Sequence, residues 1–423
     1  MQIVAQILFL IALVFGIAFF ARNIKRMLRN IKLGKTIDRS DHSSERWSKT
    51  LRIAFGQSKM VKKPVSGFLH VIVYLGFIII NIEVLEIIID GLFGTHRILS
   101  FMGSFYNVLI GIFEVLALLV LVGVIIFWIR RNVLNIYRFL SRELKGWPKN
   151  DANYILYFEM VLMSLFLIMN ATDYQLQING AAHYAHEGGI IGGFPISQFI
   201  APLFESLSNS TLIIIERAAW WLHILGILFF LNYLYYSKHL HILLAFPNVY
   251  FSKLKPKGEM DNLEAVKKEV ALMMDPNADP FAAPAEGDAT EEPSRFGAKD
   301  VLDLHRVQLM NAYSCTECGR CTSSCPANQT GKKLSPRKIM MDTRDRLEEY
   351  GANLDANGAD SDDGKSLLDD YVSRGIHIVI TVCDNANQSC PVFSDGELKI
   401  HWSIKDPFHG WNNDQKELQP YRN

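Results

Sequence analysis

Apolar residues gather in five long runs along the chain, at about residues 3–21, 66–91, 105–129, 153–172 and 212–236, with polar stretches between them. Each run approaches the roughly 20 residues that an α-helix needs to cross the hydrocarbon of a bilayer. The first run has no basic segment before it and no small-residue cleavage site before Arg22, so it reads as a span and not as a removable leader. The pattern predicts a transmembrane bundle over residues 1–250, a linker over 251–299, a second helical region over 300–374 and a short tail over 375–423. The linker is rich in Ala, Pro, Asp and Glu; its stretch Asp261 to Met274 has helical periodicity and the remainder reads as a tether. In the second region Asp300 to Met310 predicts one helix, and Ser335 or Pro336 opens another that runs to Glu349.

Net charge is zero, 43 basic against 43 acidic residues, but its distribution is uneven. The segment from Arg22 to Lys63 carries thirteen Lys or Arg and that from Arg130 to Lys149 carries six, whereas Asp173 to Leu212 carries none. The positive-inside rule therefore sets the N-terminus outside and the C-terminal half in the cytoplasm, in an inner (plasma) membrane. The loop Asp173–Leu212 is turn-rich, with a short surface helix expected near Ile200 to Leu207 and solvated His183 and His186.

All six cysteines follow residue 314, which argues against a disulfide scaffold and for a reducing compartment. Four of them form Cys315-x2-Cys318-x2-Cys321-x3-Cys325, with Gly319 after the second and Pro326 after the fourth. Thiolates packed so densely are what a cubane [4Fe–4S] cluster needs; structural zinc is the alternative.

Polar groups inside spans are costly and call for a reason. His70 lies about one turn inside the second span, His223 in the outer half of the fifth, and His241 eighteen residues later, beyond Ser237-Lys238. Five turns of one continuous helix would set His223 and His241 on a common face about 27 Å apart. Neutral imidazoles are axial ligands for b-type haem; the bland alternative is interfacial residues capping helix ends, preferred for His239. Glu83, Glu114 and Glu159 are intramembrane acids suited to a quinone or proton path, or to pairing at helix ends.

The stretch His223-Ile-Leu-Gly-Ile-Leu-Phe-Phe-Leu-Asn-Tyr-Leu-Tyr-Tyr-Ser-Lys-His-Leu-His241 resembles the last helix of nitrate reductase gamma-subunit-like cytochromes b. The resemblance implies two haems, each completed by a histidine on an earlier helix. His70 matches the inner partner, but the outer partner would fall at Ile80, which cannot ligate iron. One haem b is therefore expected, from His70 and His241, with His223 left without a partner.

Helices flanking Cys-Thr-Glu-Cys-Gly-Arg-Cys-Thr-Ser-Ser-Cys-Pro-Ala, with Gly331-Lys-Lys-Leu-Ser-Pro-Arg-Lys-Ile-Met-Met-Asp-Thr-Arg-Asp-Arg-Leu after them, resemble membrane-anchored iron–sulfur oxidoreductases of the heterodisulfide reductase D and glycerol-phosphate dehydrogenase C type. The resemblance covers roughly residues 1–374 and implies an α-helical ferredoxin-like module. A second four-cysteine motif is usual in that group, but here only Cys383 and Cys390 stand where Ile380, Cys383, Ala386 and Cys390 occupy the four positions. One cluster is expected, completed by Cys325 or, as in two-cluster modules, by Cys390.

The tail Val379-Ile-Thr-Val-Cys-Asp-Asn-Ala-Asn-Gln-Ser-Cys-Pro-Val-Phe, followed by His401-Trp-Ser-Ile-Lys-Asp-Pro407, resembles the C-terminal part of thioredoxin-coupled arsenate reductases, in which Cys383 and Cys390 match a disulfide-relaying pair. That family's oxyanion loop, Cys-x5-Arg, is missing. The fold class expected is thus mainly α: a five-helix transmembrane bundle, a cytoplasmic α-helical ferredoxin-like domain and a short α/β-like fragment. The function expected is a membrane-bound electron-transfer subunit, working between a quinone or haem site and a [4Fe–4S] cluster, with lipid, the quinone pool and a cytoplasmic redox protein or further subunits as partners and no nucleic acid. No catalytic residue is assigned. A membrane-tethered thiol–disulfide or arsenate-reductase-related enzyme and an assembly protein with a non-redox cluster are the alternatives.

Overall fold

The computed structural model describes residues 2–134, 136–181, 184, 189–256, 259, 261–275, 297–358, 378–381 and 398–401. Thirteen α-helices occur among them: α1 (Gln2–Lys32), α2 (Ser43–Thr50), α3 (Pro64–Phe93), α4 (Ser104–Asn132), α5 (Trp147–Ile178), α6 (Ser197–Ile200), α7 (Asn209–Tyr233), α8 (His241–Tyr250), α9 (Glu264–Met274), α10 (Arg306–Tyr313), α11 (Arg320–Ser323), α12 (Pro326–Gln329) and α13 (Pro336–Asn357). Two short strands, β1 (Ile378–Thr381) and β2 (Leu398–His401), pair in parallel with Ile378 opposite Leu398. The fold is mainly α, as the hydrophobic pattern predicts.

Five helices are long and apolar enough to cross a membrane, Ile3–Lys32, Pro64–Phe93, Ser104–Asn132, Trp147–Ile178 and Asn209–Tyr236. They close a ring: α1 packs on α3, α3 on α4, α4 on α5, α5 on α7, and α7 returns to α1. Chain order is therefore also neighbour order around the bundle. Ile3, Leu8, Ile11 and Phe15 on α1 point outward, as lipid-facing side chains do. Lipid offers no hydrophobic contrast between neighbouring helices, so close packing of small against large residues must hold them. Phe9 is fully buried, set against Trp220 at 5.4 Å and lying over Gly91, where a Cβ would come within 2.6 Å of its ring. Gly76 similarly admits Val120 of α4, whose Cγ2 would stand 2.4 Å from an added Cβ.

The chain forms two compact units, one made of Met1–Asp261 with His305–Gly351, the other of Asn262–Leu304 with Ala352–Asn423. The first unit holds the ring and the four-cysteine region together. The second holds α9, the strand pair, and a 3₁₀ turn at Val301–Asp303 whose Asp300 and Asp303 side chains cap each other's backbone.

Two expectations are corrected. The last span does not run as one helix to His241: α7 ends at Tyr233, and the chain passes through two 3₁₀ turns separated by an extended Ser237 (φ −115°, ψ 147°) before α8 begins. The Ser237 hydroxyl accepts the His239 N–H at 3.1 Å, and the break lets the Lys238 N–H reach Asp151 at 3.1 Å. His223 and His241 are therefore not five turns apart on one helical face. The expected helix from Asp300 is also divided, into the 3₁₀ turn and α10.

Gly76→Leu should lower the melting temperature of the detergent-solubilised chain, at a cost of about 1–3 kcal/mol for overpacking. Unchanged melting would contradict the close approach of α3 and α4.

Candidate functional site

Cys315 and Cys318 lie on the irregular stretch after α10, Cys321 lies in α11, and Cys325 caps α12, whose first residue is Pro326. Two left-handed residues, Glu317 (φ 54°) and Gly319 (φ 73°), curl the chain around them. The curl aims donors at sulfur: the Glu317 N–H donates to Cys315 Sγ at 3.4 Å and Arg320 Nε to Cys318 Sγ at 3.2 Å. Cys315, Cys318 and Cys325 are half-buried and Cys321 is exposed, all as free thiols. Burial pushes the Cys315 thiol up; for Cys318 burial is outweighed by hydrogen bonds from the Arg320 backbone and guanidinium, which hold it below the ordinary thiol value.

Among the described residues no three His, Cys, Asp or Glu side chains converge on one ion, the arrangement tetrahedral zinc requires. A cubane makes a different demand, since each thiolate binds its own iron. Four free thiols on a tight loop lined with N–H donors fit that chemistry. Cys383 and Cys390, the tail pair, lie outside the described residues, as do His183 and His186.

The loop is fastened to the transmembrane ring by buried charge. Glu317, between the first two cysteines and 5 % exposed, pairs with Lys238 and, at 3.1 Å, with Arg344 of α13. Lys238 also donates to the Pro148 carbonyl at 2.7 Å and faces Asp151 of α5, which accepts the Tyr233 hydroxyl at 2.7 Å. Burial lowers the Lys238 ammonium below the usual lysine value, against the pull of Glu317 and Asp151. Beside this network Arg337 of α13, 2 % exposed, pairs with Glu143 at 2.7 Å, and Tyr313 and Tyr235 both donate to Glu348. Asn30 of α1 donates to Tyr313 at 3.1 Å, and Asn248 of α8 to Ser314 at 2.7 Å. The basic arm after α1 is held as well: Arg46, fully buried, donates to Asp41 and to the carbonyls of Tyr250 and Ser252.

The histidines divide into two places. His70, on α3, lies within electrostatic range of His239 and His241, and also of Arg320 on the cysteine loop. It borders a cavity of about 250 Å³ that Ser66, Phe127, Arg130, Arg131 and Arg138 also line. His70 Nδ1, Arg131 Nε and Arg138 Nε are buried there without hydrogen-bond partners. His241 Nδ1–H donates to the Lys238 carbonyl at 3.0 Å, which leaves Nε2 for a metal, the usual second bond of a ligating imidazole. His239, half-buried, packs on Phe230 at 5.4 Å and on His241 at 5.5 Å. The imidazoles and the two unpartnered guanidinium Nε–H groups beside His70 are of the types that could hold a haem's iron and its carboxylates. His223 stands apart, its Nδ1 on the Leu162 carbonyl at 3.0 Å and its ring near Phe166, while Ile80 is buried in the apolar core.

Fold and site together define a membrane-type helical chain with a four-cysteine loop seated on its transmembrane ring. Comparison with known proteins gives the same class. The chain is 29% identical over 423 aligned residues, 93% of its length, to a probable iron-sulfur-binding oxidoreductase, FadF, of Bacillus subtilis. It is 24% identical over 86% of its length to an EtfAB:quinone oxidoreductase of Syntrophomonas wolfei. The chain spans about half the length of each, 54% and 49%. A stretch of 41 residues, 10% of the chain, is 32% identical to an arsenate reductase of Staphylococcus xylosus. No protein-family profile and no solved structure matches.

Lys238→Met should destabilise the folded chain by about 3–5 kcal/mol, because Glu317 and Asp151 lose the buried cation between them. The Lys238→Met/Glu317→Met double variant should recover part of that loss in a melting experiment; strict additivity would mean the two residues do not interact. Hydrogen bonds from Arg337 and Ser335 outweigh burial at Glu143 and hold its carboxyl below the ordinary 4.5. Its contribution is present above that pH and is lost as pH falls through the lowered value, so Glu143→Gln should flatten the acid limb of the stability profile.

Proposed function

We propose that the chain is a membrane-embedded electron-transfer subunit that exchanges electrons between the quinone pool and a protein redox partner. Cys315, Cys318, Cys321 and Cys325 would hold one [4Fe–4S] cluster, and His70 with His241 one b-type haem whose propionates meet Arg130, Arg131 and Arg138. When bound, these groups supply reversible one-electron chemistry; the protein's part is to hold them close and exclude water. The observation that carries the reading is the bridge from Lys238 to Glu317, which holds the cysteine loop against the end of the ring where His70 lies within electrostatic range of His241. Arg320 ties the two places together, donating to Cys318 while lying in range of His70. With the basic flanks inside, that end and the loop face the cytoplasm.

The relatives' names support the same reading, one for iron–sulfur binding, the other for quinone and EtfAB. Quinone and a soluble redox protein are accordingly the partners we assign. One haem is proposed and not two, because His223 has the apolar Ile80 where a second ligand would stand. The 41-residue likeness to an arsenate reductase favours a separate reading for the tail, a thiol–disulfide relay at Cys383 and Cys390. Differential alkylation of that pair under oxidising and reducing conditions tests it.

The anaerobically purified chain should contain about four irons and four sulfides for one cubane, plus one haem iron. His70→Ala should abolish the reduced-minus-oxidised α band and leave cluster absorbance unchanged. A surviving α band would refute the haem assignment, and zinc in place of iron would refute the cluster.

A further inference from the structure

At the end of the ring away from the cysteine loop, four carboxyls are buried around one guanidinium. Glu83 and Glu86 of α3, Glu114 of α4 and Asp173 of α5 are each at most 3 % exposed, and Arg97, 7 % exposed, is the cation among them. Glu83 is within electrostatic range of all four of the others. Three of the carboxyls are well supported. Asp173 accepts Arg97 Nε at 2.7 Å and faces His96 Nε2 at 3.5 Å. Glu86 accepts the Leu99 N–H and the Tyr106 hydroxyl, both at 2.9 Å, and Tyr106 in turn accepts from Arg97 at 3.1 Å. Glu114 Oε2 accepts the N–H groups of Ile196 and Ser197 at 2.9 and 3.1 Å. Glu83 differs: its Oε2 is buried without a partner, as are Glu114 Oε1 and Asn170 Nδ2 nearby.

Four carboxylates beside one fixed cation cannot all be ionised in a region without water, because each uncompensated charge costs several kcal/mol. Some of them must carry protons, and Glu83 has the least to stabilise a charge. It lies ten residues before the end of α3, about 15 Å along the helix at 1.5 Å per residue. Glu86 is one turn further along the same face, and Asp173 leads to His96, whose side chain is 11% exposed.

We propose that Glu83 is a proton-exchanging carboxyl, and that Glu86 and the Asp173–His96 pair connect it to the surface opposite the cysteine loop. Its assignment to quinone chemistry rests on the function proposed above. A hydroquinone oxidised beside it loses two electrons and two protons: both O–H bonds break, two C=O bonds form, the electrons leave to the chain's redox centres, and the protons pass to Glu83 and outward. Reduction runs the same steps in reverse. Arg97 holds Asp173 and Tyr106 in place and takes no proton.

The test uses the full chain in liposomes. Dicyclohexylcarbodiimide, which adds to protonated carboxyls in apolar surroundings, should label Glu83 at neutral pH, and several-fold more slowly as the pH on the opposite side is raised. Glu83→Gln should lose that label. Absence of label at Glu83 while other carboxyls react, or labelling indifferent to pH, would overturn the proposal. With duroquinol as reductant, Glu83→Gln should slow reduction of the chromophores at least tenfold, with dithionite reduction and iron content unchanged and Glu83→Asp partly restoring the rate; a wild-type rate in Glu83→Gln would overturn the quinone coupling. A wild-type chain that labels at Glu83 yet is not reduced by duroquinol sinks the quinone assignment and supports the proton route alone.

Discussion

Lys238 is a cation buried between two carboxylates from distant parts of the chain, Asp151 at the start of α5 and Glu317 within the cysteine motif. The break that ends α7 and reopens the chain as α8 falls where Lys238 turns inward to meet both acids, where the Ser237 hydroxyl accepts the His239 N–H, and where Tyr233 and Tyr235 donate to Asp151 and Glu348. The same turn carries His239 and His241 toward His70. Lys238 thus links the turn that carries His239 and His241 to the cysteine loop, alongside the Arg337–Glu143 pair and the tyrosines on Glu348. Taking a lysine out of water is unfavourable by several kcal/mol unless its partners are well placed. Here the Pro148 carbonyl and two carboxylates surround it, so the arrangement is intolerant of rearrangement and fixes one docking pose.

The two ends of the ring solve different problems. The end that meets the cysteine loop has a surplus of cations, Arg130, Arg131 and Arg138 about one cavity, and suits anionic groups. The opposite end has a surplus of carboxyls about Arg97 and suits protons. Between them the ring is mostly apolar and close-packed, with Phe9, Phe113 and Phe166 buried and His223 set beside Phe166. An electron carrier of the kind proposed above would use this polarity, because electrons cross between cofactors whereas protons need polar stepping stones to reach water.

Much of this was legible in the sequence. The five spans follow from apolar runs, since a bilayer leaves few alternatives to a helix, and the Cys315 to Cys325 spacing marks its own loop. The basic arm after α1 was legible only as charge; that Arg46 is buried against the carbonyls of Tyr250 and Ser252 needed coordinates. Most obscure was the docking. Lys238 and Glu317 are separated by 79 positions, and neither has a neighbour pattern that marks a partner. The continuous-helix reading of His223 to His241 failed for a related reason: the acids that Lys238 meets are distant in sequence, and Ser237 caps the turn that follows it.

The most direct test is the power saturation of the reduced cluster's electron paramagnetic resonance in the solubilised full chain, with the haem held oxidised. A cysteine loop docked by Lys238 predicts fast relaxation imposed by the neighbouring haem iron, slowing in His70→Ala, which lacks the haem, and in Lys238→Met, which loosens the loop. Equal relaxation in all three proteins would contradict the account, because cluster and haem would then be too far apart to sense each other.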